Sequence, residues 1–581
     1  MTGKFEIKDK FYVNGEPVQL ISGGIHYFRV VPEYWRDRLE KLKNMGCNTV
    51  ETYVPWNLHE PQKGNFCFSG IADIKTFIEL AKELELFVIV RPSPYICAEW
   101  EFGGLPAWLL AEDGMKLRCS YPPFLKHVEE YYKELFRILS PLQIDQGGPI
   151  VLMQLENEYG SYGEDKEYLK ALKEMMIENG LTVPLVTSDG PWDDYLKCGT
   201  LKGVHPTANF GSGAERQLKI LEDYTDGPRM CMEFWVGWFD SWGSGKHATS
   251  ELEKNIEDFR YFVQNDNVNI YMFEGGTNFG FMNGSNYYDH LTPDVTSYDY
   301  DAVLTESGGL TKKYEEFQKI LAEKKPLPNL KLSTQIKSKA YGVLKVEAKT
   351  GLFENLDNLH TFVSSVTPIC MEKLGQNYGY VLYESELDSE QVIQKIQLAD
   401  ANDRAQIFLE EEKIITLYDR ELLKAHEVEV KNVNQKKLRI LVENMGRVNY
   451  GFLLEKQRKG IDGGVWLNGH FHFHWKNYSL PMEHLEQLDF TKGYTKGLPA
   501  FYRFTLDAEE SCDTYIDFTG WGKGCVLING FILGRFWEIG PQKRLYLPGP
   551  LIRKGKNEIL VFETEGKASE TITLEQEPKL S

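Results

Sequence analysis

Ile150-Val151-Leu152-Met153-Gln154-Leu155-Glu156-Asn157-Glu158-Tyr159-Gly160 is a short apolar run that ends in two acids and an amide. Its length suits a strand buried on both faces, and its polar end then marks the point where a parallel strand meets the loop that follows it. Helical periodicity precedes it over residues 124–139 and resumes over 166–177, so the run belongs to an alternation of strands and helices.

Working outward, seven more strand candidates fall at 18–22, 48–53, 87–91, 184–189, 207–210, 229–234 and 269–273, with 150–156 the fourth of eight; 207–210 is the weakest. Further helices are expected over 33–45, 74–84, 252–263 and 312–321; in the first, Tyr34, Leu39, Leu42 and Met45 form one apolar stripe after Pro32. Eight strand-helix units in about 325 residues predict a (β/α)8 TIM barrel. An open doubly wound sheet would place a glycine-rich phosphate loop after its first strand, and Gly23-Gly24 does not provide the G-x-G-x-x-G pattern.

Beyond Lys325 the texture changes. Pro326 and Pro328 open a linker over 326–334, and alternating segments at 392–408, 427–442 and 501–518 predict two all-β modules of the β-sandwich or jelly-roll type. The expected organisation is a catalytic barrel over 1–325, a linker with first β segments over 326–378, one all-β domain over 379–488 and a second, jelly-roll domain over 489–581.

Composition narrows the function classes. The 65 basic and 85 acidic residues give a net charge of −20, which repels phosphate backbones and anionic membrane surfaces, so neither nucleic acid nor membrane is an expected partner. No apolar run approaches the ~18 residues that span a bilayer, and residues 1–13 lack the apolar core and cleavage site of a secretory signal. Nine cysteines, an odd number without a Cys-x-x-Cys pair, argue against a disulfide framework or structural zinc. A cytoplasmic location is expected. Aromatic residues make up 13%, which suits clefts that offer flat rings to sugars, although core packing uses most of them.

In a barrel of this kind chemistry sits at the C-terminal ends of the strands. The fourth strand ends with Glu158 and the seventh, Cys231-Met232-Glu233-Phe234-Trp235, with Glu233, so two carboxylates distant in sequence converge on one mouth. Retaining glycosidases need such a pair about 5 to 5.5 Å apart, one as nucleophile and one as acid, then base. The competing reading is two solvated or salt-bridged loop acids. Glu156, two residues before Glu158, is expected to bond a barrel donor such as Arg91 or His26.

Asn157-Glu158 on strand four with Glu233 on strand seven resembles the clan of (β/α)8 retaining glycosidases. Gly24-Ile25-His26-Tyr27-Phe28-Arg29, Glu51-Thr52-Tyr53-Val54-Pro55-Trp56-Asn57-Leu58-His59-Glu60-Pro61 and Ile96-Cys97-Ala98-Glu99-Trp100-Glu101-Phe102-Gly103-Gly104-Leu105-Pro106 resemble glycoside hydrolase family 35, as do Glu158-Tyr159-Gly160-Ser161-Tyr162, residues 273–280 and Thr296-Ser297-Tyr298-Asp299-Tyr300-Asp301-Ala302. That resemblance implies a retaining exo-β-galactosidase that removes terminal β-D-galactose from oligosaccharides or glycans without a cofactor or metal. It makes Glu158 the acid/base and Glu233 the nucleophile. It also implies that Tyr53, Cys97, Ala98, Glu99, Asn157 and Tyr298 line the galactose site, and that Trp235 and Trp238 flank the sugar and leaving group; the Tyr298 hydroxyl is expected to hydrogen-bond Glu233 and hold its carboxylate in line. Arg447-Val448-Asn449-Tyr450-Gly451 resembles a family segment packed on the barrel mouth, which makes Tyr450 an aglycone contact. The compact form is similar to bacterial β-1,3-galactosidases, so a β-1,3 linkage is expected.

Two alternatives stand beside this reading: an exo-β-glucosaminidase or other β-glycosidase of the same fold, and a non-catalytic carbohydrate-binding protein. A homodimer is compatible with the sequence, in which no interface is legible. His470, His472 and His474 alternate with phenylalanines, and are read as a solvated strand face in preference to metal ligands.

Overall fold

The structure, a computed structural model, describes residues 3–580 except 93, 360–361, 388–391, 432 and 434. The outermost residues of the expected first and last domains, Met1 and Ser581, lie outside the described residues.

Eight parallel strands close into a barrel: β1 (Ile21–Ile25), β2 (Thr49–Tyr53), β3 (Phe87–Arg91), β4 (Ile150–Gln154), β5 (Leu185–Asp189), β6 (His205–Phe210), β7 (Met230–Trp235) and β8 (Asn267–Glu274). β8 pairs back onto β1, with Val268 opposite Ile21. Nearly every strand residue is buried, because helices cover the outside and side chains fill the inside. The barrel predicted from the alternation is therefore the fold.

The first strand runs over Ile21–Ile25 instead of 18–22. Gly23 and Gly24 look like strand breakers in sequence, yet a β-carbon on Gly23 would sit 2.6 Å from Leu42 Cδ1 and 2.9 Å from Phe273 Cβ. These glycines let a covering helix and β8 approach the strand closely, a packing role that local propensity does not reveal.

The covering helices include α1 (Trp35–Met45), α2 (Ile74–Glu83), α3 (Pro122–Leu139), α4 (Lys166–Glu178), α5 (Ala214–Leu221), α6 (Leu252–Asn265) and α7 (Lys312–Ala322). α1 buries Leu39, Leu42 and Met45 and stops at Gly46, whose φ of 112° is open to glycine and whose N–H closes on Leu42 and Lys43 carbonyls. α2 starts at Asp73, which accepts from Thr76 N at 3.0 Å, and α3 starts with prolines, which tolerate the unpaired first turn.

After β8 a short hairpin, β9 (Ser285–Tyr287) paired with β10 (Leu291–Pro293), stands at the barrel mouth. Two β-sandwiches follow. Among the described residues the first combines a six-stranded and a four-stranded sheet drawn from Val363–Ser365 to Trp475–Leu480. The second combines four- and five-stranded sheets from Ala500–Ala508 to Thr571–Glu575, and both take an outer strand from upstream: Gly342–Lys345 pairs with Thr571–Glu575, and Ala348–Gly351 with Ala500–Ala508. The first sandwich is thus inserted within the chain path of the second. Among the described residues no helix is long and apolar enough to cross a membrane.

Candidate active site

β4 ends at Gln154, and the chain then leaves extended geometry: Glu156 has φ 56° and Glu158 φ 47°. A regular strand would send both carboxylates the same way, whereas these left-handed turns separate them. Glu156 turns inward to a two-pronged pair with Arg118 at 2.9 and 2.8 Å and accepts from the Tyr168 hydroxyl at 3.0 Å. The expected partners, Arg91 and His26, are engaged elsewhere. Arg118, fully buried and stacked 3.6 Å from the Tyr95 ring, was out of reach of sequence reasoning because it sits in an irregular loop. Glu158 instead faces an open cavity, where Asn209 Nδ2 at the end of β6 donates to its Oε1 at 3.0 Å.

Glu233 lies across that cavity on β7. Arg91 Nη2 is 2.6 Å from its Oε1, the Tyr53 hydroxyl is also 2.6 Å from Oε1, and Trp235 Nε1 donates to Oε2 at 3.0 Å. Three groups from β2, β3 and β7 therefore hold the carboxylate, and none of them is Tyr298. The Tyr298 hydroxyl donates to Glu99 Oε2 at 2.6 Å and lies 3.2 Å from the Tyr271 hydroxyl, which corrects the expected bond to Glu233. The reason is tertiary: Tyr298 is sandwiched against the Arg29 guanidinium at 3.7 Å, and Arg29 is itself fixed by Asn278 Oδ1 at 2.8 Å and the Ala98 carbonyl at 2.5 Å.

The cavity encloses about 330 Å³, within the range of small-molecule sites. Cys97, Ala98, Glu99, Asn157, Glu158, Glu233, Trp235, Trp238, Tyr298 and Tyr450 all line it. Tyr53 does not; it sits beneath the floor, bridging Glu233 and, at 2.8 Å, Asn157 Oδ1. Arg91 Nη2 also donates to that oxygen at 2.8 Å, so the Asn157 amide is oriented before any ligand arrives. Trp238 is 48% exposed and edge-on to Trp235, 5.7 Å between ring centres, an available apolar wall. Trp192, Tyr195, Tyr271, Asn286, Tyr288 and Asp299 are also in the lining, without having been singled out as site residues from sequence. For Tyr271 a signal existed, its place on the eighth strand; Asn286 lies on the three-residue β9 and Tyr195 opens a one-turn helix, both too short for a periodicity to read, and the others ride on loops.

Tyr450 reaches the site from the first sandwich. The seam that delivers it is built from buried polar contacts: Arg447 Nη1 pairs with Glu101 at 2.5 Å and Nη2 with Glu372 at 2.5 Å, Asn449 N donates to Ser285 O at 2.9 Å, and the Tyr95 hydroxyl donates to the Asn449 carbonyl. The second sandwich grips the opposite wall. Gln542 accepts from Ser297 N at 3.2 Å and donates to Ser297 Oγ at 3.0 Å, one residue before Tyr298.

Burial, and then the negative charge of Glu233, push the Glu158 carboxyl up to about 8. Burial raises Glu99 to about 7, with Tyr298 and Arg29 opposing, and raises Asp299 to about 8. The Cys97 thiol is pushed well up by burial, so it packs as a neutral group. The two facing carboxyls thus differ sharply: Glu158 is a protonated acid near neutrality, and Glu233 is engaged in an ion pair.

The chain belongs to glycosyl hydrolases family 35. Residues 10–324, the barrel, match the model of glycosyl hydrolases family 35; residues 368–481 match the first all-beta domain of beta-galactosidase, and 499–557 its galactose-binding domain. The chain is 41% identical to the human "Beta-galactosidase-1-like protein 2" over 98% of its own length and 91% of that protein. It is 39% identical to the "Beta-galactosidase" of Xanthomonas manihotis, covering 93% and 90% of the two chains, and 36% identical to "Beta-galactosidase 17" of Arabidopsis thaliana, covering 97% and 87%. In this family 35 chain, no group of three or more His, Cys, Asp or Glu among the described residues is arranged to hold a metal. The strand bearing His470 and His472 ends at His472, and His474 follows with φ 69°, so the three imidazoles do not continue one strand face.

Proposed function

We propose that this family 35 glycoside hydrolase is a retaining exo-β-galactosidase, releasing terminal non-reducing β-D-galactose from oligosaccharides or glycans. The observation that carries it is the unequal setting of the two acids that share the cavity. Glu233, aligned by Arg91, Tyr53 and Trp235, is the nucleophile; Glu158, protonated through burial and the charge of Glu233, donates its proton to the departing glycosidic oxygen. When Glu233 becomes a glycosyl ester its charge disappears, the pKa of Glu158 falls, and the freed carboxylate takes a proton from water for the second displacement. Glu99 and Asn157 hold sugar hydroxyls, and Trp235, Trp238 and Tyr450 flank the leaving side.

The β-galactoside assignment is supported by family membership and by similarity along nearly the whole chain to proteins named β-galactosidases. A β-1,3 linkage is the preference that the resemblance to bacterial β-1,3-galactosidases implies. All nine cysteines are free, which suits a reducing cytoplasm.

Hydrolysis of p-nitrophenyl β-galactoside by wild type and by Glu233→Gly, with azide supplied to the variant, tests the reading. Activity in wild type and an inverted galactosyl azide from the variant are expected. Equal activity in both proteins would remove Glu233 from the chemistry, and faster release from a β-glucosaminide would replace the substrate.

A further inference from the structure

The hairpin of β9 and β10 carries a side chain that the proposed chemistry leaves unused. Asn286 is 4% exposed and lines the catalytic cavity, yet its buried Nδ2 has no hydrogen-bond partner. Buried carboxamides are nearly always satisfied, and one left open requires an explanation. Among the described residues lining the cavity, Asn286 alone has such an orphaned buried atom. Asn157, by contrast, has its amide oxygen engaged from below by Arg91, Tyr53 and Gln154, and its Nδ2 donates to the Ile96 carbonyl at 3.3 Å with its second hydrogen left for the sugar.

The hairpin is rigid for a surface feature. Ser285 bridges to Val448, and its Oγ donates to the Gly446 carbonyl at 2.9 Å. Leu291 N donates to Asp419 Oδ2 at 3.1 Å, and Arg420 pairs with Asp289 at 3.2 Å. Thr292 Oγ1 ties back to the Asn286 carbonyl at 3.0 Å. The first sandwich thus holds the main chain of Asn286 from both sides while its side chain stays free. A group fixed in place and unsatisfied in the empty site is preorganised for a ligand.

We infer that Asn286 is a further substrate-binding residue, whose carboxamide hydrogen-bonds a hydroxyl of the bound galactosyl unit and so contributes to sugar specificity. This rests on the reading of the cavity as a β-galactosidase site. The sugar side of the cavity is indicated at the start of the hairpin, where Gly284 N, two residues before Asn286, donates to the Glu99 carbonyl at 2.9 Å. Rotation by half a turn about χ2 presents either the oxygen or the nitrogen to the sugar, so the contact serves a hydroxyl as donor or acceptor.

The test compares wild type and Asn286→Ala on p-nitrophenyl β-galactoside and on its monodeoxy analogues, one hydroxyl removed at a time. A loss of about 10- to 100-fold in kcat/KM on the parent is expected, shrinking to less than about threefold on the one analogue that lacks the partner hydroxyl. A purely structural role would lower all substrates equally; that pattern, or no loss on the parent, overturns the assignment. Should the alanine variant fold poorly, Asn286→Asp, of the same shape without donors, is carried through the same series. Inactivity of wild type on every galactoside would strike the proposed function instead. Calorimetric binding of methyl β-galactoside would then decide on Asn286: weaker binding to the variant supports the contact, and equal or absent binding by both refutes it.

Discussion

In the proposed mechanism Glu158 works only while it keeps a proton that an exposed carboxylic acid would have lost. Burial first, and Glu233 second, raise it from the ordinary 4.5 to about 8. Above pH 8 the acid is spent, so kcat/KM is expected to fall on an alkaline limb near 8, and Glu158→Gln should lose about 10²- to 10⁴-fold, least with aryl leaving groups that need no proton. The same shift acts on folding. Between about pH 4.5 and 8 the unfolded chain releases this proton and the folded chain keeps it, so stability is full below 4.5 and declines as pH rises through 8. Glu99, Asp189 and Asp299, raised by burial to about 7, 7 and 8, act in the same direction. A melting series should therefore show Glu158→Gln gaining on wild type as pH rises from 5 to 8. A constant difference across that range would mean that the carboxyl titrates normally.

The loop after β3 shows how backbone shape places side chains. Cys97, Ala98 and Glu99 have φ of 57°, 55° and 47°, and Phe102 and Gly103 follow at 56° and 58°. So many left-handed residues are costly and persist only where packing fixes them. The fixing contacts are visible: Arg29 holds the Ala98 carbonyl, Ile96 N closes on Gly103 O, and Gly103 lies against Tyr95 and the Asn449 carbonyl. A β-carbon at Gly103 would fall 2.3 Å from Tyr95 Cε2 and 3.0 Å from Asn449 O, both immobile. Gly103→Ala is expected to lower the melting temperature and to reduce kcat/KM by about tenfold or more, because Glu99 and Cys97 move with the loop. Gly114→Ala is the control: its φ of 77° also disfavours alanine, but the added carbon meets nothing within 4 Å, so activity should persist. Equal activity losses in the two variants would show that general destabilisation explains both.

The two sandwiches are parts of the site as well as appendages to the barrel. One supplies Tyr450 and anchors the Asn286 hairpin; the other fixes Thr296-Ser297-Tyr298 through Gln542 and through Arg535, whose N–H donates to Thr296 Oγ1 at 3.0 Å. Removing the Gln542 clamp leaves Ser297 N without its buried acceptor, which costs roughly 1–3 kcal/mol, and loosens the residue that orients Glu99. Gln542→Ala should therefore raise KM and lower kcat/KM by about tenfold while Glu233→Gly with azide still yields product in the double variant. Wild-type kinetics in Gln542→Ala would mean that the barrel alone sets Tyr298.

The eight strands were legible because a buried parallel strand needs an unbroken apolar run of a few residues, and the runs ending at Glu158 and Glu233 carry that information locally. The acids at their ends were legible for the same reason. Gly23 misled, since its role is to admit Leu42 of the next helix and Phe273 of the last strand, contacts that its own strand does not encode. Likewise only the folded structure turned Glu156 towards Arg118 and Glu158 towards the cavity, gave Tyr298 to Glu99, left Asn286 unpaired, and joined Gly342–Lys345 to Thr571–Glu575. Each depends on a left-handed turn or a partner hundreds of residues distant. Periodicity reports which face of an element is buried, and it carries no information about which distant side chain will be waiting there.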